Sequence, residues 1–387
     1  MNKARAMKMK KEKKFATRKR FYFFLAAVSL AAVLVVGGYT LAPKWAKATY
    51  ERELGTGELR GTHLPTPEAV RGIYITSCVA SAKTIREKIL KEIEGTAINS
   101  IVIDVKDYSG RISIPTEDPT LVTKDSKGCF VKDMEQFVAE LHEKGYYVIG
   151  RISVFQDPVY AKLHPELAVQ KKDGSVWKDR KGLAFIDVSA RPFWDYIVKI
   201  GKESYNLGFD ELNFDYMRFP TDGDMKDINF PWTLDMEKKE ALRQFFGYLH
   251  KQFRDSKAVL SVDFFGMTTT DTGDMNIGQY LEFALPYFDY IAPMVYPSHY
   301  PPSWNGLANP AANPYEVVKY SMERAYMRAS STPHKLRPWL QDFNLGATYT
   351  ADMVMAQMKA VYDSGLTSWM LWSPSNKYTA GALNFAK

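Results

Sequence analysis

Cysteine and histidine are scarce in this chain, and their scarcity removes whole classes of chemistry. Two cysteines, Cys78 and Cys129, support neither a disulfide framework nor a four-thiolate metal site. They either pair in an oxidising compartment or stay as two buried thiols. The six histidines show no His-x-x-x-His spacing and there is no Cys-x-x-Cys, so no metal and no cofactor are expected. No glycine-rich phosphate fingerprint succeeds the first apolar strand, which argues against a dinucleotide-binding doubly wound sheet.

A basic folded domain is also missing. The formal charge of +7 is misleading, because residues 1–20 alone hold ten Lys or Arg against the single Glu12. Removing that +9 tail leaves −2 on everything else, which is no surface for gripping a phosphate backbone. Nucleic acid is therefore not an expected partner.

Directly after the basic tail lies an uncharged run, Phe21 to Ala42 (FYFFLAAVSLAAVLVVGGYTLA), long enough to cross the ~30 Å hydrocarbon core of a bilayer. Flanking cations keep the tail in the cytoplasm and send the chain after Pro43 outward. An uncleaved signal anchor is preferred to a cleaved peptide. Thr40-Leu41-Ala42 is followed by Pro43, and Ala46-Lys47-Ala48 lies far from the apolar run. Residues 43–68 mix charge, Gly and Pro without periodicity and read as a stalk or linker. The sequence thus divides into a basic cytoplasmic tail (1–20), a transmembrane anchor (21–42), a linker (43–68) and one large extracytoplasmic domain (69–387).

From Val70 onward, short apolar runs alternate with amphipathic stretches, the signature of repeated βα units. Strands are expected over Arg71–Thr76, Ser100–Val105, Tyr146–Ser153, Phe209–Asp215, Ala258–Phe264, Tyr290–Tyr296, Leu336–Asp342 and Ser368–Trp372. Helices are expected over Ala82–Glu94, Lys132–Lys144, Pro192–Asn206, Met236–Arg254, Asn313–Ala329 and Ala351–Ser364. Gly145, Gly208 and Gly365 stand where helices should stop. Eight strands make a closed (β/α)8 TIM barrel the natural architecture, with chemistry at the carboxyl ends of the strands. The longest loops, 106–131, 154–191, 266–276 and 297–310, all leave that end.

Strand side chains alternate between faces, so the polar residues opposite the helix-packing Ile, Val and Leu point into the barrel. That test turns Asp104 and Lys106 inward on the second strand, and Ser261 and Asp263 on the fifth. On the fourth, GFDELNFD, it turns Glu211, Asn213 and Asp215 inward. Arg151 shares its face with Tyr147 and Ile149. The seventh strand is ambiguous: either Trp339 and Gln341 or Leu340 and Asp342 face in.

Three inward carboxylates at strand ends, Asp104, Asp215 and Asp263, suit a glycosidase. One must stay ionised at an oxocarbenium-like centre and another must hold a proton for the leaving oxygen. Burial and mutual repulsion can split them into those roles. A divalent cation bound by the same trio is the chemical competitor, as in a metal-dependent polysaccharide deacetylase. Tyr74, Tyr296, Trp304, Trp339 and Trp372 fall at or beyond strand ends, where flat rings stack on sugars. Arg151, Asn213 and Asp342 are further substrate-binding candidates. Arg218, three residues past Asp215, is expected to pair with that carboxylate or to bind an acidic sugar.

The segments GIYITS, IVIDVKDYSG, GFDELNFDYMRFPTDG, APMVYPSHY and SWMLWSPSNKYT, from about Gly72 to Tyr378, resemble the bacterial putative glycosyl hydrolase family. The resemblance implies a (β/α) barrel and a polysaccharide-hydrolase role. A weaker likeness is to the family 18 chitinases. Asp210, Asn213 and Asp215 take the Asp positions of their fourth-strand D-x-x-D-x-D-x-E pattern, while Met294 to Tyr296 and Trp372 match later signatures. Met217 stands where the catalytic Glu belongs, so a mechanism using that acid is excluded. The expectation is a membrane-anchored extracytoplasmic glycoside hydrolase acting on a cell-envelope or exopolysaccharide glycan. Asp215 would be the nucleophile or charge stabiliser, Asp263 the acid and Asp104 the second choice. A non-catalytic carbohydrate-binding barrel is the alternative.

Overall fold

The computed structural model describes residues 61–121 and 129–385. The expected cytoplasmic tail, the apolar run Phe21 to Ala42 and most of the linker lie outside the described residues. Among the described residues no helix is long and apolar enough to cross a membrane.

Eight parallel strands close in chain order into a barrel: β1 (Arg71–Ile75), β2 (Ser100–Lys106), β3 (Tyr147–Ser153), β4 (Glu211–Asp215), β5 (Val259–Phe265), β6 (Tyr290–Met294), β7 (Trp339–Gln341) and β8 (Trp369–Trp372). The closing pair is β1 with β8, with Gly72 opposite Met370 and Ile73 opposite Leu371. Six principal helices surround the sheet, Lys83–Ile93, Met134–Glu143, Arg191–Asn206, Lys238–Phe253, Pro314–Ala329 and Ala351–Asp363. Between β5 and β6 the crossover helix shrinks to Leu281–Ala284. Helix starts obey local chemistry. Thr350 caps Met353, Thr76 caps Val79, and Asp157 accepts from the Tyr160 amide at 2.8 Å just ahead of Pro158. Gly208 ends the fourth-strand approach with φ +100°, and its Cα passes beside Gly61, a place where a side chain would collide.

Alternation separates two apolar regions. Ile101, Ile103 and Val105 of β2, Leu212 and Phe214 of β4, and Val262 and Phe264 of β5 join the core shared with the helices. Val102, Tyr147, Ile149, Ala292, Trp339 and Met370 form a smaller cluster inside the barrel. Each fully buried aliphatic or aromatic side chain contributes roughly 1.5–3 kcal/mol, so the outer layer dominates stability. The lower interior also holds one ion pair. Glu211 takes Arg337, accepts from Ser261 at 2.5 Å and from Tyr147 at 3.2 Å, and is fully enclosed.

Two features depart from the sequence-based expectation. The β2–β3 register shifts between Asp104 and Lys106, so Lys106 leaves the face of Asp104. Its ammonium donates to the Ser153 carbonyl at 2.6 Å and pairs with Asp157 at 2.9 Å, entirely buried. Residues 61–68, expected as linker, belong structurally to the amino end of the barrel. The Leu64 amide donates to Asp210 at 2.6 Å, His142 meets the other Asp210 oxygen at 2.9 Å, and His63 stacks on Tyr205.

Candidate active site

At the carboxyl end of the strands one cation organises three carboxylates. β3 carries Arg151 inward, above Tyr147 and Ile149 on the same face. Its Nη1 donates to Asp104 at 2.6 Å, its Nη2 to Asp215, and its Nε lies 3.9 Å from Asp263. A guanidinium is a rigid planar fork a few ångströms across, so the three carboxylates converge on one small volume. Arg151 is 5% exposed and Asp263 1%. Burial alone opposes the charge on Arg151, but Asp215, Asp104 and Asp263 outweigh it and hold the group firmly protonated.

The carboxylates are not equivalent. Asp215 receives Arg151 on one oxygen and the Tyr216 amide at 2.5 Å on the other. Tyr216 reaches that position through a left-handed backbone, φ +52°. Asp263 has neutral donors instead: Asn213 Nδ2 at 2.9 Å and Trp339 Nε1 at 2.8 Å, both on Oδ1. Burial first, and then the charge of Asp215, push the Asp263 carboxyl up to about 8, against the pull of Arg151, Asn213 and Trp339. Asp263 is therefore protonated at neutral pH beside an Arg151-paired carboxylate. Asp104 is also raised by burial, opposed by Arg151 and by the 2.5 Å hydrogen bond from Tyr74. No trio of free carboxylates awaits a cation here, because Arg151 already occupies the centre.

Aromatic rings wall the same volume. Tyr74 stacks on Trp372 with centroids 4.0 Å apart and planes 18° from parallel, and Trp339 meets Trp372 edge-on at 5.6 Å. Arg151 lies 5.0 Å from the Trp372 ring centre. Tyr296 is buried next to the acids. Burial, followed by the charges of Asp263 and Asp215, raises its hydroxyl well above the ordinary range.

Other expected residues sit elsewhere. Arg218 does not pair with Asp215, which Arg151 has taken; its Nη1 donates to the Phe219 carbonyl at 3.1 Å. Trp304 turns toward the outer helices, meeting Tyr300 at 4.5 Å and Tyr320 at 5.5 Å. On β7 it is Trp339 that faces in, while Leu340 joins the outer core. Asp342 is held by Thr379, whose hydroxyl and amide donate at 2.6 and 2.9 Å. Met217, at the position of the chitinase acid, is fully buried in the apolar core. Sequence reasoning missed the supports of the β1 end. Tyr378 donates to the Tyr74 carbonyl, and Asn376 accepts from the Thr76 amide at 3.0 Å. Both lie in the SPSNKYT segment, whose polar residues just after β8 were the available signal.

Residues 72–378 match the model of a family described as "putative glycosyl hydrolase domain". A hypothetical protein from Ruminiclostridium thermocellum is 30% identical over 49% of this chain and 96% of its own, with a TM-score of 0.44. The PgaB (BpsB) glycoside hydrolase domain of Bordetella bronchiseptica is 13% identical, with a TM-score of 0.60 over 82% of this chain and all of that one. At that identity the likeness speaks for the barrel alone. None of the curated proteins compared matches the chain.

Proposed function

The chain belongs to the putative glycosyl hydrolase family, and on that basis we propose that it cleaves glycosidic bonds with Asp215 and Asp263. The observation that carries this reading is the contrast between two neighbouring carboxyl groups, one ion-paired to Arg151 and the other holding its proton near neutrality. Asp263 would deliver that proton to the leaving glycosidic oxygen as the C–O bond breaks. Asp215, held in place by Arg151 and the Tyr216 amide, would stabilise or attack the positive anomeric carbon. Water then supplies hydroxide to that carbon and returns a proton to Asp263. Asp104 fixes Arg151 from the far side, and the Tyr74–Trp372 stack offers an aromatic face to the sugar.

We assign the substrate to the glycans of the cell envelope or an exopolysaccharide, and the location to the outer side of the membrane. Two observations support the location, and the substrate class follows from it. The apolar run Phe21 to Ala42 adjoins a strongly basic tail. The paired Cys78 and Cys129 suit an oxidising compartment. Incubating the protein with purified envelope polysaccharides should release reducing ends, and Asp215→Asn and Asp263→Asn should each slow that release by about a hundredfold or more. The second reading, a barrel that binds glycan without cutting it, is favoured by the apolar burial of Met217. It prevails if the wild type releases nothing while binding the same polysaccharides.

A further inference from the structure

Arg218 is a cation without a counter-ion at the edge of the site. It lies on the loop leaving β4, three residues beyond Asp215, and is only partly buried. Three rings surround its guanidinium: Phe265 at 5.0 Å, Tyr216 at 5.5 Å and Phe185 at 5.7 Å. Its hydrogen bond is the one to the Phe219 carbonyl, and its Nε is buried with no partner. Among the described residues no carboxylate stands within ion-pair distance of it. The acids whose fields reach it are otherwise engaged. Asp215 holds Arg151, Asp222 meets Arg180 at 3.2 Å, and Asp179 caps the amides of Lys181 and Leu183. Burial works against the charge on Arg218, partly offset by Tyr216 and those acids.

Aromatic contacts act on the face of a guanidinium and do not use its in-plane donors. Arg218 thus keeps a fork of N–H groups, of which one is spent on a backbone carbonyl. A fork of that shape pairs best with a planar, two-oxygen anion. The negative field of Asp215, Asp179 and Asp222 penalises a dianionic phosphate more than a singly charged carboxylate.

We infer that Arg218 receives a carboxylate carried by the glycan on a sugar next to Asp215, which makes the substrate an acidic polysaccharide. The inference rests on reading the Arg151 cluster as the place where a glycan is held. A uronic acid ring and a lactyl ether are two sources of such a group.

The test is a ligand-observed NMR titration of the full chain with two matched pairs. These are methyl β-glucuronide against methyl β-glucoside, and N-acetylmuramic acid against N-acetylglucosamine. At least one acid should bind about tenfold more tightly than its neutral partner, and which one does identifies the source. Arg218→Gln should erase the preference while leaving neutral-sugar binding intact. Arg218→Lys, a point charge without the fork, should reduce it several-fold. Circular dichroism checks that both variants fold, and if only the Lys variant does, its reduced preference decides. The inference is overturned if neither acid binds more tightly than its partner, or if the preference survives in the variants. The hydrolase reading fails separately: no reducing ends from any glycan, with the acid preference intact, removes catalysis and leaves the Arg218 receptor standing.

Discussion

Trp339 donates its indole N–H to Oδ1 of Asp263 at 2.8 Å, and Asn213 donates to the same atom at 2.9 Å. An oxygen that accepts two N–H groups has no room for a proton of its own. The Asp263 proton therefore sits on Oδ2, the oxygen nearer Arg151.

Trp339→Phe removes a donor that favours the ionised carboxylate. The Asp263 pKa should rise further, and the alkaline limb of kcat/KM should move up by about 1 unit. A pH–rate profile reads it directly, and an unmoved limb would show that another group is the acid.

Asp263 should also mark stability. Its carboxyl keeps its proton in the folded state up to about 8, whereas in the unfolded chain it ionises near ~4. Between those values the folded state binds the extra proton, so stability falls as pH rises and levels off above the folded value. Asp263→Asn should flatten that slope in a series of thermal melts from about pH 4 to about pH 9, the window set by those two values. Catalysis should fall by about 10²–10⁴ in the same variant. A wild-type slope that persists in Asp263→Asn would sink the assignment.

Arg151→Met leaves Asp104 and Asp215 buried without their cation. Breaking a buried pair from one side costs about 3–5 kcal/mol, and here two acids lose one partner. Urea unfolding should show a loss of at least that size near neutral pH, shrinking as acidification protonates the orphaned carboxyls. A loss below about 1 kcal/mol would mean that the acids have rearranged onto other donors.

The Cys78–Cys129 bond closes a sequence separation of 51 residues between the end of β1 and the loop after β2. Cys78→Ser should cost about 2–4 kcal/mol in calorimetric unfolding. Reductant should lower the wild-type melting temperature to the level of the variant and leave the variant unmoved.

Much of this architecture could be read from the chain because period-two alternation is a local rule. Asp104, Asn213, Asp215 and Asp263 each sit among outward Ile, Val, Leu or Phe, and those neighbours fix their face. Arg151 was harder, because its inward companions Tyr147 and Ile149 are apolar. The barrel changes from apolar to polar along its own axis, which no single strand displays. Lys106 escaped because a one-residue bulge reverses the alternation at the strand end. Trp304 and Arg218 lie on loops, where sequence distance from a strand end says little about direction. Arg218 stands nearer Asp215 in sequence, yet the partner of Asp215 came from the neighbouring strand, where Ser153 lies opposite Asp215.

The joining of β1 to β8 has a meaning for the order of synthesis. Tyr74 and Trp372 stack only after the last strand has sealed the sheet, and Tyr378 must still fold back onto the Tyr74 carbonyl. A chain emerging from its amino end carries Asp104, Arg151, Asp215 and Asp263 long before it owns the ring that completes their wall. A chain that stops short of β8 is thus left without the Tyr74–Trp372 stack.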